Sequence, residues 1–280
     1  MHPYVVLDVF TDVPLEGNQV AVFEDGVGLS ADLMQRAARE LNLSETVFLL
    51  APDEDADARV RIFTPAAELP FAGHPVLGTA FVLGERLRKP VVRLQTGAGT
   101  IPIELQRDEG RIAYGEMAQP IPVPETFDRA PELLGALGVE RSQLPIEAYR
   151  NGPLHVYVAL ASDDEVAALR PDTTALAAIA ESCGVSCFSA RGAQIKTRMF
   201  APALGINEDP ATGSAAGPLA VHLARHGWIA FGERVEIRQG AEISRPSVLY
   251  AQVDGTPAEI ARVSVGGSAV LVARGQYRLN

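Results

Sequence analysis

The chain has 280 residues, 47% of them hydrophobic and 21% charged, a composition typical of a soluble protein long enough for two domains of ordinary size. Its formal net charge of −11 opposes non-specific attraction to nucleic acid or to an anionic bilayer, since both carry negative fields. No apolar run approaches the roughly 20 residues that span a bilayer, and the N-terminus lacks the basic and apolar regions of a signal peptide. We therefore expect a cytoplasmic protein that binds neither nucleic acid nor membrane.

The predicted elements follow one order in each half of the chain. In the first half a strand precedes the helical pattern ADLMQRAARELN, and the short strand TVFLL follows it. The next strand ends in an R-x-F-x-P loop, after which come an apolar helix and a β-meander. We expect an α+β protein.

The second half repeats this order with recognisable residues. Residues 61–80 read RIFTPAAELPFAGHPVLGTA and residues 198–220 read RMFAPALGINEDPATGSAAGPLA. After a three-residue difference in loop length, the matches pair Arg61 with Arg198, Phe63 with Phe200, Pro65 with Pro202, Gly73 with Gly213 and Ala80 with Ala220, and Glu68 falls beside Glu208 and Asp209. Two copies of one domain are the simplest explanation of such a repeat.

The proline-bearing stretch AQPIPVPETF at 118–127 marks the boundary, because it can continue neither a helix nor a central strand. We predict a first domain at 1–118, a second at 119–267, and a C-terminal strand at about 268–280 that returns to the first domain. The helix VLGTAFVLGERL is apolar on nearly all faces, which indicates enclosure by a curved sheet or barrel. Pro218 leaves the start of the corresponding second helix, near Gly213, less well defined.

Glycines stand at both predicted helix starts, where the first backbone N–H groups have no intrahelical partners. Two such ends facing each other across an interdomain cleft would bind a carboxylate, and we expect the active site there. Either loop could instead be a tight turn that needs a glycine for its backbone angles. The duplication of Gly73 in Gly213 favours the binding interpretation.

Three ionisable residues are candidates for the chemistry, and each has a structural alternative. His74, between Gly73 and Pro75, is either an acid/base group or a structural hydrogen-bonding histidine. Glu45, in LNLSETVFLL, is either a proton-transfer group or an exposed turn carboxylate. Asp209, in INEDPATGS, is either functional or the first residue of an Asp-Pro turn.

Sequence motifs for other chemistries are absent. The chain has no GxGxxG after a strand, no GxxxxGK[ST] loop and no GxSxG elbow. Cys183 and Cys187 have neither redox nor zinc spacing, and the His222 and His226 pair has no nearby HExxH-type carboxylate. We therefore expect no metal and no cofactor, and proton transfer by histidine and carboxylates remains.

A family resemblance emerges from the longer blocks DVFTDVPLEGNQVAVF, LNLSETVFL, RIFTPAAELPFAGHPVLGTA and MFAPALGINEDPATGSAAGPLAVHL. Together they resemble the PhzF family of phenazine biosynthesis, and the resemblance runs essentially end to end. The stretches NGPLHVYVAL and QG…RPS, from Gln239 to Ser247, are similar to the phenazine-pathway members in particular.

This resemblance implies a diaminopimelate-epimerase-like fold, a homodimer, and a cofactor-independent isomerase of antibiotic biosynthesis. It implies Glu45 as the proton-transferring group, His74 and Asp209 as further catalytic groups, and Gly73, Gly213 and Ser214 as substrate-binding residues. The epimerases place a cysteine at each helix start, whereas this chain has His74 and Ser214 there, so racemisation by two thiols is not expected.

The implied reaction is a proton shift from C3 to C1 of trans-2,3-dihydro-3-hydroxyanthranilate on one face of the ring. Another small amino- or hydroxy-carboxylate could be the substrate of the same fold and base, because fold and function are separable. A non-catalytic binding module is a third possibility, although such a module would have no need for Glu45, His74 and Asp209 together.

Overall fold

A computed structural model describes residues 1–53, 55–180 and 183–279. Through residue 119 the elements are β1 (His2–Val9), β2 (Asn18–Phe23), α1 (Ala31–Leu41), β3 (Glu45–Leu50), β4 (Ala58–Phe63), β5 (Glu68–Leu69), α2 (Gly73–Leu87), β6 (Val91–Thr96), β7 (Gly99–Asp108) and β8 (Arg111–Gln119). The later elements are β9 (Val123–Glu125), α3 (Ala130–Leu137), β10 (Glu147–Arg150), β11 (Leu154–Ala159), α4 (Asp163–Ala168), α5 (Thr173–Ile179), β12 (Cys183–Arg191), β13 (Gln194–Ala201), β14 (Ile206–Asp209), α6 (Gly213–Arg225), β15 (Arg234–Gln239), β16 (Ser247–Gly255), β17 (Ile260–Gly267) and β18 (Ala269–Tyr277).

The chain divides into two compact units, one formed by 1–118 with 266–280 and the other by 119–265. Both are α+β and dominated by curved, unclosed sheet, so the α+β prediction is confirmed and the barrel alternative is not adopted by the described strands. Among the described helices, none has both the length and the apolar composition needed to cross a bilayer.

The first unit is a mixed sheet in the order β18-β1-β2-β3-β4-β6-β7-β8, with the short β5 beside β4. The helix α2 packs against strands from both ends of this order, among them β1, β6 and β18. Its residues are buried almost continuously from Gly73 to Gly84, as the uniformly apolar sequence predicts. The amphipathic α1 covers a separate core that includes Phe23, Met34 and Phe48.

The second unit repeats the strand order. Its sheet runs β9-β10-β11-β12-β13-β15-β16, with β14 beside β13. Two strand pairs in each unit are parallel. The strands that flank α1, β2 and β3, correspond to the strands that flank α4 and α5, β11 and β12. The strands that flank the buried helix are β4 and β6 in the first unit and β13 and β15 in the second. The buried helix is α2 in the first unit and α6 in the second.

A salt bridge recurs at the same place in both units. Arg61 Nε and Nη2 donate to Glu68 at 2.7 and 2.6 Å, and Arg198 Nε and Nη2 donate to Glu208 at 2.8 and 2.7 Å. Each guanidinium also lies over the phenylalanine two residues later in its strand, at 5.1 and 5.0 Å from the ring centroid. Glu208 is therefore the structural counterpart of Glu68, and Asp209 is the residue after it.

The turn after β15 places a glycine against two backbone carbonyls. Gly240 has φ +82°, and a Cβ there would lie 2.3 Å from Arg245 O and 2.5 Å from Pro210 O. Gly205 has the same backbone conformation, φ +83°, but open space at the Cβ position. The two glycines share a backbone conformation and differ in how closely other backbone atoms approach them, Gly240 being buried and Gly205 exposed.

We predict that Gly240→Ala destabilises the protein more than Gly205→Ala. Both substitutions place a side chain in the left-handed region, which lowers the unfolding free energy by about 1–2 kcal/mol. Overpacking at Gly240→Ala lowers it by a further amount of about 1–3 kcal/mol. Urea denaturation of the two variants measures the difference in unfolding free energy. Equal losses would show that the carbonyl contacts at Gly240 carry no cost.

Candidate active site

Glu45 is the first residue of β3, and it is buried. The preceding helix α1 ends with Asn42 in the left-handed conformation, φ 53°, whose N–H bonds Ala38 O. The chain then enters β3, where Glu45 lies opposite Val20 of β2 in a parallel pair. Only 8% of Glu45 is exposed, so the alternative of an exposed turn carboxylate is wrong.

His74 contacts Glu45 from the first turn of α2. Its Nε2 lies 3.2 Å from Glu45 Oε2 and 3.2 Å from Gln19 O. Its Nδ1 lies 3.3 Å from Asn18 Nδ2. The imidazole thus connects three segments of the first unit: β2, the start of β3 and the start of α2.

The contacts of His74 decide its charge and its tautomer. Burial lowers the pKa of His74 to about 3, against the opposing effect of its hydrogen bond to Gln19 O, so the ring is neutral at neutral pH. A carbonyl only accepts, so we assign the proton to Nε2, and Nδ1 then accepts from the Asn18 amide. His74 therefore donates to Gln19 O beside Glu45 and has no vacant acceptor nitrogen, so of this pair only Glu45 has an atom available to accept a proton.

The start of α2 has no side-chain cap. The N-cap residue is Ala72, which offers no acceptor, and the first turn contains no acidic side chain. Pro75 lies within that first turn, where a missing N–H removes no intrahelical bond. Gly73 and His74 thus stand at the positive end of a buried helix whose first N–H groups are not capped by the N-cap side chain.

Asp209, in the second unit, ends β14 and is held by its neighbours. The Thr212 hydroxyl donates to Asp209 Oδ2 at 2.5 Å, and the Thr212 side chain makes no capping hydrogen bond to α6. Gln239 Nε2 donates to Asp209 O at 2.7 Å and to Thr212 Oγ1 at 3.0 Å, while Gln239 Oε1 accepts from Thr212 N at 3.2 Å. Gln239 lies in the stretch singled out by family resemblance, but nothing in its local sequence indicated this role.

Ser214 lies in the first turn of α6, which begins at Gly213. His155 Nε2 is 3.1 Å from Ser214 Oγ, and Gln119 Nε2 donates to Gly213 O at 2.8 Å. Burial lowers the pKa of His155 to about 4, so this ring is also neutral at neutral pH. Sequence analysis assigned no role to Gln119 or His155.

Pro218 explains why another amide reaches this helix. It is the sixth residue of α6 and has no N–H, so Ser214 O loses the bond that residue 218 would normally donate. Asn151 Nδ2 donates to Ser214 O at 2.9 Å and replaces it. The proline that made the helix start uncertain in the sequence is accommodated by a side chain from the loop between β10 and β11.

The structure therefore groups the predicted residues in two sets. Glu45 and His74 are in contact in the first unit, with Gly73 adjacent along the chain. In the second unit Gly213 and Ser214 are the first two residues of α6, and Asp209 precedes them at the end of β14.

Neither cysteine belongs to these sets. Cys183 and Cys187 are unpaired thiols in the core of the second unit, on β12. Burial raises the pKa of Cys183 to about 11 and that of Cys187 to about 12, so both remain protonated. They cannot serve as the thiol bases of a two-cysteine racemase.

Comparison with known proteins gives matches over the whole chain. The family model described as phenazine biosynthesis-like protein, PhzC-PhzF, matches residues 7–275. A curated relative from Pseudomonas aeruginosa, named trans-2,3-dihydro-3-hydroxyanthranilate isomerase, is 52% identical over 279 residues, which cover 100% of both chains.

Solved structures extend the likeness to the fold. A phenazine biosynthesis protein of the PhzF family from Bacillus anthracis has a TM-score of 0.86 at 26% identity and covers 98% of both chains. A probable proline racemase from Agrobacterium radiobacter has a TM-score of 0.74 at 16% identity, over 100% of this chain and 94% of that one. The latter likeness concerns the fold alone, and it confirms the epimerase-like architecture expected from the sequence.

We predict that Asn151 and Pro218 are energetically coupled. Asn151→Ala leaves Ser214 O without its donor and should cost about 1–3 kcal/mol of unfolding free energy. In a Pro218→Ala background the restored N–H can take over, so the same substitution should cost at least about 0.5 kcal/mol less. Chemical denaturation of the two single variants and the double variant measures this coupling, and equal losses in both backgrounds would contradict it.

Proposed function

Because the chain belongs to the phenazine biosynthesis-like PhzC-PhzF family and is an isomerase, we propose that it converts trans-2,3-dihydro-3-hydroxyanthranilate by a proton shift from C3 to C1. The full-length identity to relatives that bear this name supports the substrate. The observation that supports the mechanism is the buried carboxylate of Glu45, 3.2 Å from a neutral imidazole whose other nitrogen is occupied.

Glu45 acts as the base. Its carboxylate takes the proton from C3 as the C3–H bond breaks, and the electron pair spreads through the ring diene to C1. The resulting Glu45 carboxylic acid then donates the same proton to C1, which restores the carboxylate. A positioned proton-transfer group of this kind is typically worth about 10² to 10⁴ in rate.

His74 orients the base. Its Nε2–H donates to Gln19 O and its Nδ1 accepts from Asn18, and these bonds hold the ring with Nε2 3.2 Å from Glu45 Oε2. A neutral ring positions the carboxylate without the charge of an imidazolium, which would make the carboxylate a weaker base. We therefore assign His74 an orienting role and Glu45 the proton transfer.

Gly73, Gly213 and Ser214 bind the substrate carboxylate, and Asp209 acts on the same substrate as a further acid/base or charge-stabilising group. Support comes from the two helix starts, where neither N-cap side chain bonds the first turn. The positive end of a helix favours an anion. Charge that develops at C1 extends into the attached carboxylate, so these N–H groups would stabilise the transition state as well as the bound substrate.

The reaction as proposed needs no metal and no organic cofactor, because each step is a proton transfer that a carboxyl group can perform. We further propose that the protein is cytoplasmic, that it forms a homodimer, as the family resemblance implies, and that its partner is a small carboxylate rather than nucleic acid. The net charge of −11 supports the last point.

We predict that Glu45→Gln abolishes turnover but not binding. The amide keeps the size of the side chain and cannot accept the proton, so kcat should fall by at least about 10²- to 10⁴-fold while substrate affinity changes little. Loss of the diene absorbance measures turnover, and calorimetry measures binding. Glu40→Gln, an exposed change on α1, is the matched control, and near-normal turnover of Glu45→Gln would eliminate Glu45 as the base.

We also predict that hydrogen is carried from C3 to C1. With deuterium at C3, part of the label should reappear at C1 of the product, because the protonated Glu45 is buried and exchanges slowly with solvent. Mass spectrometry or NMR of the product measures the retained label. Complete loss of label to water would reject a protected transfer by a single carboxyl group.

A further inference from the structure

A second group of titratable side chains lies at the other end of α6. His222 and His226 are one helical turn apart at the end of this helix, and Glu147 begins β10. Glu147 Oε2 lies 3.2 Å from His222 Nδ1 and 3.2 Å from His226 Nε2. One ligand atom from each of the three residues falls within 4.8 Å of the others, and we call them the Glu147–His222–His226 cluster.

The hydrogen bonds alone leave this cluster crowded. Tyr149 OH also donates to Glu147 Oε2, at 2.6 Å, so one hydroxyl and two imidazole nitrogens converge on a single carboxylate oxygen. A carboxylate oxygen has about two lone-pair directions. Three partners exceed those two directions, and convergence of two imidazole nitrogens and a carboxylate oxygen is the arrangement of a cation site.

Two of the three distances between ligand atoms fit a tetrahedral ion. With Zn–N and Zn–O bonds of about 2.0–2.2 Å, tetrahedral ligand atoms lie roughly 3.3–3.5 Å apart. The two Glu147-to-histidine distances of 3.2 Å are close to that value. Two histidines and one glutamate also form an established zinc donor set that leaves a fourth position for water.

The charges around the cluster have both signs. Glu147 supplies the carboxylate among the three side chains, and the nearby Arg225, the last residue of α6, is positively charged. The Glu147 carboxylate must offset that positive charge when a cation binds.

The cluster is accessible on one side and enclosed on the other. The side chains of Glu147 and His226 are 35% and 22% exposed, whereas His222 is fully buried and stacks on Tyr157 with ring centroids 5.7 Å apart. Tyr149 supplies an outer-shell hydrogen bond to Glu147. Among the described residues His222 Nε2 has no hydrogen-bond partner, so one outer-shell contact is missing. The absence of such a contact typically lowers metal affinity by about 10- to 100-fold.

We propose that the Glu147–His222–His226 cluster binds one Zn²⁺ ion through these three side chains. The sequence showed the two histidines without a carboxylate, because Glu147 precedes His222 by 75 residues and joins it only through the fold. The ion stabilises the second unit by linking β10 to the end of α6. It takes no part in the proton shift, since the 13 residues of α6 place Gly213 roughly 18 Å from this end.

The test uses the full-length protein after treatment with a chelator and dialysis. Calorimetric titration with Zn²⁺ should give one site per chain, and Co²⁺ should give the visible absorption bands of a four-coordinate ion. Zn²⁺ should also raise the melting temperature. These readouts are independent of catalysis, so their failure would leave the proposed function untouched.

Variants locate the ion. We expect His226→Ala and Glu147→Gln each to abolish the Co²⁺ bands. Each should also weaken Zn²⁺ binding by a larger factor than the loss of an outer-shell partner does, which is about 10- to 100-fold. His2→Ala, which removes a histidine of β1 outside the cluster, should retain both. Circular dichroism confirms that each variant is folded. Absence of stoichiometric binding, or equal binding by His226→Ala and His2→Ala, would overturn the proposal.

Discussion

The buried starts of α2 and α6 are the constraint on which the rest of this structure depends. A helix start leaves its first N–H groups without intrahelical partners, and here water cannot satisfy them freely because Gly73 and Gly213 are both buried. Polar groups must therefore converge on these two places. At α6, Gln119 and Asn151 donate to the carbonyls of the first turn, and the N–H groups of that turn suit an acceptor such as a ligand carboxylate.

Around α2 burial also sets the protonation of His74. Its imidazole is buried with its helix start, so it remains neutral, and its neighbours fix the tautomer that donates to Gln19 O beside Glu45. Glu45 is then the only member of the pair able to take a proton. Burial, often regarded as a cost for a polar group, here gives the two neighbouring side chains different capacities for proton transfer.

The duplication explains how one architecture provides two different sets of groups. The Arg61–Glu68 and Arg198–Glu208 salt bridges, each beside a phenylalanine, hold equivalent loops ahead of equivalent helices. The residues beyond those loops differ: His74 follows the first glycine and Ser214 follows the second. The strand, the arginine–glutamate salt bridge and the buried helix thus recur in both units, while the side chain after the glycine differs. A racemase-like fold can in this way support an isomerase without thiols.

The sequence by itself determined the α+β class, the repeat, the buried apolar helices and the candidate residues at their starts, because these follow from local periodicity, glycine and proline positions and blocks of family resemblance. Only the tertiary structure decided that Glu45 is buried against His74, that Asn151 replaces the bond lost at Pro218, that Gln239 holds the Asp209 loop, and that Glu147 meets His222. Each of these contacts joins residues 29 to 75 positions apart. Local propensity and spacing carry no signal at such separations, since the pairing is set by sheet register and by packing of the buried helices.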